Sequence, residues 1–321
     1  MKENKFLDTI QSIIHSDFIG DDCAYIKEKD LIITQDTLVE DVHFRTEWLT
    51  PYQLGRKSIS VNLSDIAAAA GIPQYAMVSI SLPSHYNEEF IDKFYNGLND
   101  VCKEFKTQII GGDITGSEKI VITITLIGYG MGTKISKRSN AKIGDLIVTT
   151  GYHGSSAAGL WLLENPSTQL NYKIKAKLFT AHVNPYPQIQ TGRMIAEATN
   201  EKLCMMDTSD GLADALFKIA KMSNVGIEIN FSSIPYDKSI EDVAKLAEKD
   251  FIDWIFYGGE DYQLIAAIAP QDYDKIKNPQ LTIIGKVVEG SQVEVKIEQN
   301  IITIDQNSIN KAGFNHFKEQ C

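Results

Sequence analysis

The sequence lacks the features that would place it in a membrane or in a secretory pathway. It has no apolar run of membrane-spanning length, because its longest apolar stretches are interrupted by polar residues or glycine. Its first residues contain neither the apolar stretch nor the small-residue cleavage site of a signal peptide. We therefore expect a cytoplasmic protein that has no membrane partner.

Paired cysteines and basic blocks are also missing. The four cysteines, Cys23, Cys102, Cys204 and Cys321, are far apart and form no C-x-x-C pair. This spacing argues against a disulfide framework and against a thiolate zinc site, and it is typical of a reducing compartment. The formal net charge is −11, and no segment is rich in lysine or arginine. Because an acidic chain repels a phosphate backbone, we expect no nucleic-acid partner.

The common nucleotide-binding motifs do not occur either. The sequence contains neither the Walker A motif nor the H-R-D and D-F-G signatures of protein kinases. Any nucleotide chemistry must therefore use another architecture. Small phosphorylated ligands remain possible for an acidic chain, provided that metal ions mediate the contact.

Strand-like and helical segments alternate along the chain and indicate an α/β fold. A length of 321 residues is large for one core and suggests two domains. Thr50 and Pro51 are typical of a helix N-cap and first turn, and this helix would run to about Ala70. The other predicted elements are a helix over 87–105, a helix after Asp210, and strands over 31–34, 76–82, 119–129, 145–151, 226–231, 262–269, 281–288 and 291–304. The polar segment 137–144 marks a junction, so we predict an N-terminal domain of residues 1–140 and a C-terminal domain of residues 141–321.

Aspartates recur at the edges of the apolar elements rather than on charged faces. They lie in a glycine turn, after a strand-like run, inside an apolar helix, at the tip of a Gly-Gly turn and at a helix start, namely Asp22, Asp36, Asp65, Asp113, Asp207 and Asp210. Each of them alone has an ordinary explanation as a turn residue, a helix cap or a solvated side chain. Asn62 and Asp65 are three residues apart and therefore share one face of their helix.

Together, these aspartates indicate a metal site. Carboxylates that converge in a partly buried site repel one another by several kcal/mol per pair, and a divalent cation relieves that repulsion. An all-oxygen ligand set suits Mg²⁺ better than zinc, and Mg²⁺ usually completes its coordination with water and substrate phosphates. The sequence therefore predicts phosphoryl transfer.

With these motifs in order, the sequence resembles the thiamine-monophosphate kinase family, within the superfamily of aminoimidazole ribonucleotide synthetase and selenophosphate synthetase. The resemblance extends over nearly the whole chain. It rests on GDDCA (20–24), TQDTLVEDVHF (34–44), VNLSDIAA (61–68), IIGGDIT (109–115), KRSNAKIGD (137–145), TGYHGSSAAGL (150–160), DTSDGL (207–212), GGEDYQL (258–264) and GFNHF (313–317). The family is expected to have an N-terminal ATP-binding domain and a C-terminal α/β domain, with two copies pairing through their N-terminal domains.

The resemblance also implies roles for individual residues. The expected metal-site residues are Asp22, Thr34, Gln35, Asp36, Asp65, Asp113, Asp207 and Asp210. The expected ATP contacts are Phe105, Gly112, Asp113, Arg138 and Ser209, and the expected contacts to thiamine monophosphate are His43, Glu260 and Phe314. Gln35 stands where the family usually has Thr or Ser. An ordinary core, surface or capping role remains an alternative for His43, Arg138, Glu260 and Phe314.

The resemblance implies a reaction in which ATP phosphorylates thiamine monophosphate to thiamine diphosphate. We expect direct in-line transfer assisted by several Mg²⁺ ions, with no covalent phosphoenzyme. No general base is assigned, because the acceptor phosphate is already ionised near neutral pH. Two alternatives remain, namely another ATP-dependent synthetase of the superfamily and a nucleotide-binding relative without catalytic activity.

Overall fold

The computed structural model describes residues 2–276 and 280–313, with side chains from residue 5 onward. Its helices are α1 (Lys2–Ile14), α2 (Pro51–Ala68), α3 (Glu88–Glu104), α4 (Ser155–Glu164), α5 (Tyr172–Val183), α6 (Ile189–Ala198), α7 (Leu212–Ser223), α8 (Ser239–Leu246), α9 (Phe251–Tyr257), α10 (Pro270–Tyr273) and α11 (Gln306–Ala312). Its strands are β1 (Ala24–Ile26), β2 (Leu31–Val39), β3 (Ile72–Leu82), β4 (Gln108–Gly116), β5 (Val121–Tyr129), β6 (Leu146–Thr150), β7 (Cys204–Asp207), β8 (Gly226–Asn230), β9 (Leu264–Ile268), β10 (Leu281–Val288), β11 (Val293–Ile297) and β12 (Asn300–Ile304). The predicted two-part α/β fold is confirmed.

The first sheet has the strand order β1-β2-β5-β3-β4 and is antiparallel except for the parallel pair β3–β4. One face packs against α2 and α3, and Leu38, Ile80 and Ile122 are buried there. The opposite face is open, because alternate residues such as Thr37 on β2 point away from the helices and are exposed. Strand β4 forms one edge of this sheet.

Helix α2 lies at the centre of the molecule. Thr50 caps it with a reciprocal capping box to Gln53, and Pro51 occupies the first turn, as the sequence predicted. Most of its side chains are buried because it contacts the first sheet, α3, α6 and β7. The approach to α6 is close: a Cβ atom added to Gly192 would lie 2.3 Å from the carbonyl oxygen of Ala67.

The second sheet has the strand order β12-β11-β8-β10-β6-β9-β7 and is antiparallel except for β8–β11. Its core contains α4, α7, α8 and α9. The first hydrophobic core, however, draws on both sheets, since Met205, Leu264 and Ile268 belong to it together with Ile32 and Leu126. The predicted boundary at 140/141 falls between β5 and β6 and remains a proposal.

Three local predictions differ from the structure. Residues 291–304 form the hairpin β11–β12 rather than one strand, because Glu298 adopts a left-handed conformation with φ 53° and reverses the chain. Asp36 lies inside β2 rather than after it, since that strand continues to Val39. Asp113 lies in the extended strand β4 and not at the tip of a turn, because Gly111 and Gly112 continue the pairing with β3.

In the described part of the chain, no helix combines the length and the apolar character that crossing a bilayer requires.

Candidate active site

Three aspartates from separate elements meet between the two sheets. Asp22 precedes β1, Asp65 lies on α2 and Asp207 ends β7, and each offers a carboxylate oxygen within 4.8 Å of the other two. Asp207 is 1% exposed, and the side chain of Asp22 is 5% exposed. The fold therefore brings residues that are distant in sequence into one buried carboxylate cluster, which we define as Asp22, Asp65 and Asp207.

Hydroxyl groups next to the carboxylate cluster hold two of its members. Thr34 Oγ1 donates a hydrogen bond of 2.6 Å to Asp65 Oδ2, so this predicted metal-site residue lies beside the cluster. Ser64 Oγ donates to Asp207 Oδ2 at 2.6 Å. Ser209 Oγ donates to the other oxygen of Asp207 at 3.1 Å. Such bonds fix the orientation of each carboxylate without neutralising its charge.

Arg138 supplies the positive charge on one side of the carboxylate cluster. Its Nη2 and Nε atoms donate to the two carboxylate oxygens of Asp22 at 2.7 and 3.4 Å. Its Nη1 atom donates to the carbonyl oxygen of Gly20, and its backbone N–H donates to Asp21 Oδ1. This bidentate contact ties the polar segment between the sheets to the N-terminal glycine turn. The predicted ATP contact of Arg138 remains a proposal.

Asp36 and Asp210 extend the acidic site toward a cavity. The backbone N–H of Asp36 donates to Asn62 Oδ1 at 3.0 Å, so β2 is fastened to the face of α2 that also carries Asp65. Asp210 follows β7 and accepts from Lys218 Nζ at 3.4 Å. Asp36, Asp65 and Asp210 all line the cavity, which connects the buried charges with the surface.

Burial and mutual repulsion disfavour the ionised form of the aspartates in this site. Burial, followed by the charges of Asp210 and Asp22, raises the pKa of Asp36 to about 6. Burial and the charge of Asp22 raise the pKa of Asp207 to about 7, against the opposing hydrogen bond from Ser64. Burial, Asp36 and Asp207 raise the pKa of Asp65 well above its ordinary value. A bound cation would reverse these shifts because it favours the ionised carboxylates.

The cavity has a volume of about 1250 Å³ and combines acidic with aromatic residues. Besides the aspartates named above, its lining includes His43, Trp48, Trp161, His182, Ser209, Trp254, Tyr257 and Glu260. The predicted substrate residues His43 and Glu260 thus share one space with Asp36, Asp65 and Asp210. His43 is oriented by the backbone N–H of Val39, which donates to its Nδ1 atom at 3.0 Å.

Glu260 stands in a tight segment next to the acidic site. Its backbone adopts a left-handed conformation with φ 64°, and its N–H donates to the carbonyl oxygen of Ser209 at 2.7 Å. Its carboxylate contacts Lys57 Nζ at 3.2 Å and His182 Nδ1 at 3.3 Å. The loop that carries Glu260 is therefore joined to the loop that carries Ser209 and Asp210.

Several predicted site residues do not join the carboxylate cluster within one chain. Asp113 lies three strands from β2, on the open face of the first sheet, because it is in register with Ser79 and Thr123. Gln35 also points to this face and accepts from Thr125 Oγ1 at 2.8 Å. Gly112 lies beside Asp113 in β4. Phe105 caps the end of α3, and the centroid of its ring lies 5.7 Å from that of Tyr186. Phe314 lies outside the described residues.

Sequence reasoning missed Lys57, Ser64 and His182. Lys57 had a detectable signal, because it lies eight residues before Asp65 and therefore on the same face of an otherwise apolar helix. Ser64 adjoins a recognised aspartate, but its contact with Asp207 depends on packing between the two halves of the chain. His182 lies near the end of α5 with no motif around it.

The donor set of this site suits magnesium. The described atoms that converge are carboxylate and hydroxyl oxygens, which are hard ligands preferred by Mg²⁺. Cys23 is also buried nearby, and burial and the charge of Asp65 raise the pKa of its thiol well above its usual range. Mg²⁺ prefers hard oxygen ligands to sulfur, so the oxygens define the chemistry of the site.

Comparison with known proteins places this architecture in a defined class. The model of the AIR synthase related protein N-terminal domain matches residues 20–130, and that of the C-terminal domain matches residues 142–298. A structure of a HypE–HypF complex has the same fold, with a TM-score of 0.76 at 17% identity over 94% of this chain and 98% of that chain. The two halves of the chain are thus those of an AIR synthase-related protein.

Other relatives are more similar in sequence, and their names specify one enzyme. The thiamine-monophosphate kinase of Bacillus subtilis (strain 168) is 36% identical over 97% of both chains, and that of Aquifex aeolicus (strain VF5) is 32% identical over 97% of this chain and 96% of its own. A structure described as AaThiL complexed with AMPPCP and TMP has a TM-score of 0.83 at 32% identity, over 94% of this chain and 98% of that one. The chain belongs to the thiamine-monophosphate kinase family.

Proposed function

We propose that this chain uses ATP to phosphorylate thiamine monophosphate to thiamine diphosphate. One observation carries the proposal: Asp36, Asp65 and Asp210 line the same cavity as His43 and Glu260, next to the carboxylate cluster. The structure of AaThiL with AMPPCP and TMP supports the assignment of both substrates. The site residues named from the sequence take these roles as part of the proposal.

The main obstacle to the reaction is the mutual repulsion of two phosphorylated substrates. Asp22, Asp36, Asp65, Asp207 and Asp210 would hold several Mg²⁺ ions, with Thr34 as a neighbouring oxygen donor. When bound, Mg²⁺ neutralises phosphate charge and draws donor and acceptor phosphates together. The carboxylates of the chain are held in place before the substrates arrive, so they contribute positioning rather than covalent chemistry.

The remaining residues orient the two substrates. Ser209 and Arg138 flank the aspartates and would contact ATP, as would Phe105. Gly112 and Asp113 would reach ATP across a subunit interface. His43 and Glu260 would hold the heterocyclic part of the acceptor, and the aromatic lining of the cavity offers surfaces on which a heterocycle can stack. No side chain is needed as a general base, because the attacking phosphate oxygen is already ionised. We infer direct in-line transfer of the γ-phosphoryl group, which needs positioning and charge neutralisation rather than a covalent intermediate.

We also propose that two copies pair through the open face and edge strand of the first sheet. Strand β4 is exposed along nearly its whole length, and Met77, Ile110 and Ile114 are large exposed apolar residues of β3 and β4. An uncovered edge strand with apolar side chains favours association with another chain. Pairing would also give Asp113 and Gly112 a partner surface, since they are remote from the carboxylate cluster of their own chain.

A direct assay tests the proposed reaction. Purified protein is incubated with ATP, Mg²⁺ and thiamine monophosphate, and the diphosphate product is quantified. Asp210→Asn should lower the rate about a hundredfold or more, because it removes a carboxylate that would hold Mg²⁺ next to the reacting phosphates. Asp242→Asn on α8, which changes an exposed aspartate, should leave the rate unchanged.

Each other outcome identifies one of the alternatives. ATP binding without turnover would indicate a nucleotide sensor. ATP consumption without thiamine diphosphate would indicate another enzyme of the superfamily. A wild-type rate in Asp210→Asn at saturating Mg²⁺ would remove the assigned role of Asp210.

A further inference from the structure

The side chain of Glu260 is held from one side. Both of its described contacts, to Lys57 Nζ at 3.2 Å and to His182 Nδ1 at 3.3 Å, use the Oε2 atom. Among the described residues, no hydrogen bond or ion pair uses Oε1. The side chain is 23% exposed and lines the cavity, so the second carboxylate oxygen remains available to a ligand.

Lys57 is a buried charge with a specific partner. Its side chain is fully buried, and within the described chain Glu260 is its ion-pair partner. A buried ammonium group is unfavourable unless it is paired, so this contact constrains the position of Glu260. Lys57 lies in helical phase with Val61 and Asp65, which line the cavity. Helix α2 therefore carries both an aspartate of the carboxylate cluster and the anchor of Glu260, about 12 Å apart along its axis.

His182 provides the second anchor. Burial and the nearby charge of Lys57 lower the pKa of His182 to about 3, although Glu260 opposes this shift. The ring is therefore neutral near pH 7. A carboxylate accepts but does not donate, so this 3.3 Å approach to Glu260 is attractive only in the tautomer that carries the hydrogen on Nδ1. In that tautomer Ser156 Oγ, 3.0 Å from the same nitrogen, accepts from the same N–H and keeps the ring in place.

Hydrogen bonds also fix Asp261, the residue after Glu260. The backbone N–H groups of Gly154 and Ser156 donate to the two carboxylate oxygens of Asp261 at 2.6 and 2.9 Å. The beginning of α4 is therefore fastened to the loop of Glu260, and Ser156 links that loop to His182. Glu260 is therefore fixed through the adjacent Asp261 as well as through its own carboxylate.

We propose that Lys57 and His182 are positioning residues, which hold Glu260 so that its Oε1 atom accepts a hydrogen bond from an amino group on the heteroaromatic ring of the acceptor. This inference rests on the proposed function and names how the same site selects its acceptor. In thiamine monophosphate the donor is the exocyclic amine of the pyrimidine ring. An analogue that carries an oxo group at that position would leave the carboxylate without a donor.

A double-mutant cycle tests the role of Lys57. Steady-state kinetics are measured for wild type, Lys57→Met, Glu260→Gln and the double variant, with thiamine monophosphate and ATP varied separately. Lys57→Met should raise KM for thiamine monophosphate about tenfold to a hundredfold and change KM for ATP less than about threefold. In the Glu260→Gln background the same substitution should have little further effect. Lys93→Met, which removes an exposed ion pair on α3, is the matched control and should change neither constant.

A pair of histidine variants tests the second anchor without removing a buried charge. Asn at position 182 places an amide N–H near the site of Nδ1, whereas Gln places it near the site of Nε2. His182→Asn should keep KM for thiamine monophosphate within about threefold of wild type, and His182→Gln should raise it about tenfold. A merely structural role would not distinguish the two variants. If Lys57→Met does not fold, this pair decides the proposal.

The outcomes separate this inference from the proposed function. If the wild type forms no thiamine diphosphate, the proposed function is wrong. If the wild type is active, the inference is overturned when Lys57→Met and Glu260→Gln act independently of each other. It is also overturned when both histidine variants behave alike, or when wild type and Glu260→Gln discriminate equally between the amino and oxo acceptors.

Discussion

At the residue scale, the acidic site opposes stability while it prepares the chain for phosphate chemistry. Asp36, Asp65 and Asp207 all have raised pKa values, because they are buried together. Sites that bind charged substrates commonly retain such unfavourable interactions, and their removal then stabilises the protein at the expense of activity.

Asp65→Asn should separate these two effects. In metal-free buffer at pH 8 we expect the free energy of unfolding to increase by about 1 kcal/mol or more, because the substitution removes a charge that Asp36 and Asp207 repel. The rate of thiamine diphosphate formation should fall about a hundredfold or more. Denaturant unfolding and the product assay measure the two quantities. Asp92→Asn, at an exposed position of α3, should alter neither, and a destabilised but active Asp65→Asn would contradict the assigned role.

His153 should contribute a loss of stability in mild acid, whereas the raised pKa values of Asp36 and Asp207 contribute in the opposite direction. Burial lowers the pKa of His153 to about 4, below the ordinary value of 6.5 that the unfolded chain has. The unfolded state therefore binds a proton first as the pH falls, and stability from this group is present above pH 6.5 and is lost between about pH 6.5 and 4. Near pH 5.5 the contribution of this residue to the free energy of unfolding should fall by about 1 kcal/mol for each unit by which the pH is lowered.

Variants of two histidines provide the measurement. The free energy of unfolding is determined by denaturant titration between pH 6.5 and 5. His153→Asn should lower the slope of the free energy of unfolding against pH, because about one proton fewer is taken up on unfolding. His85→Asn, at an exposed position, should leave this slope unchanged. Equal slopes in wild type and His153→Asn would show that the buried ring does not resist protonation.

At the element scale, helix α2 is the part of the site that the sequence predicted best. Thr50 and Pro51 marked its start, and Asn62 and Asp65 identified the face that meets β2. These signals are local, since capping and side-chain spacing depend on adjacent residues. Where the chain relies on an unusual backbone instead, prediction failed: Glu298 and Gln299 form the β11–β12 turn without the Asn-Gly or Asp-Gly pair that such turns favour.

The contact between α2 and α6 should tolerate no added volume. Gly192→Ala would bring a methyl group to within 2.3 Å of the Ala67 carbonyl oxygen unless the helices separate. We expect a loss of about 1–3 kcal/mol in the free energy of unfolding, measured by denaturant titration. Gln190→Ala on the exposed side of the same helix should change it by less than about 0.5 kcal/mol. Equal stability of the two variants would mean that α6 moves freely against α2.

At the scale of the whole molecule, the site needs contacts that no local pattern reveals. Lys57 meets Glu260 and Ser64 meets Asp207 because elements of both halves of the chain pack against α2. The sequence motifs identified Asp22, Asp65 and Asp207 as members of one site, and the structure brings these three together. Asp113 was expected with them, but register alone places it on the opposite face of its sheet. Its assignment remains a prediction that depends on a second copy.

A charge on the edge strand should test the proposed pairing. Ile114 on β4 is 64% exposed, and Ile301 on β12 is 65% exposed. Ile114→Asp should shift the protein from dimer to monomer in sedimentation or light-scattering measurements and should lower the rate about tenfold or more, because Asp113 would lose its partner surface. Ile301→Asp introduces the same charge at a position of similar exposure, and it should leave the mass of the assembly and the rate unchanged. A wild type that is fully active as a monomer would refute the pairing.

The first hydrophobic core joins residues of both sheets, among them Leu126 and Leu264. A hinge between the two halves would have to pull this core apart, which would expose apolar surface to water. We therefore expect the entrance to the cavity to keep a constant width as ligands arrive and leave. Any gating must come from surface loops, and binding should proceed with little rearrangement of the two sheets.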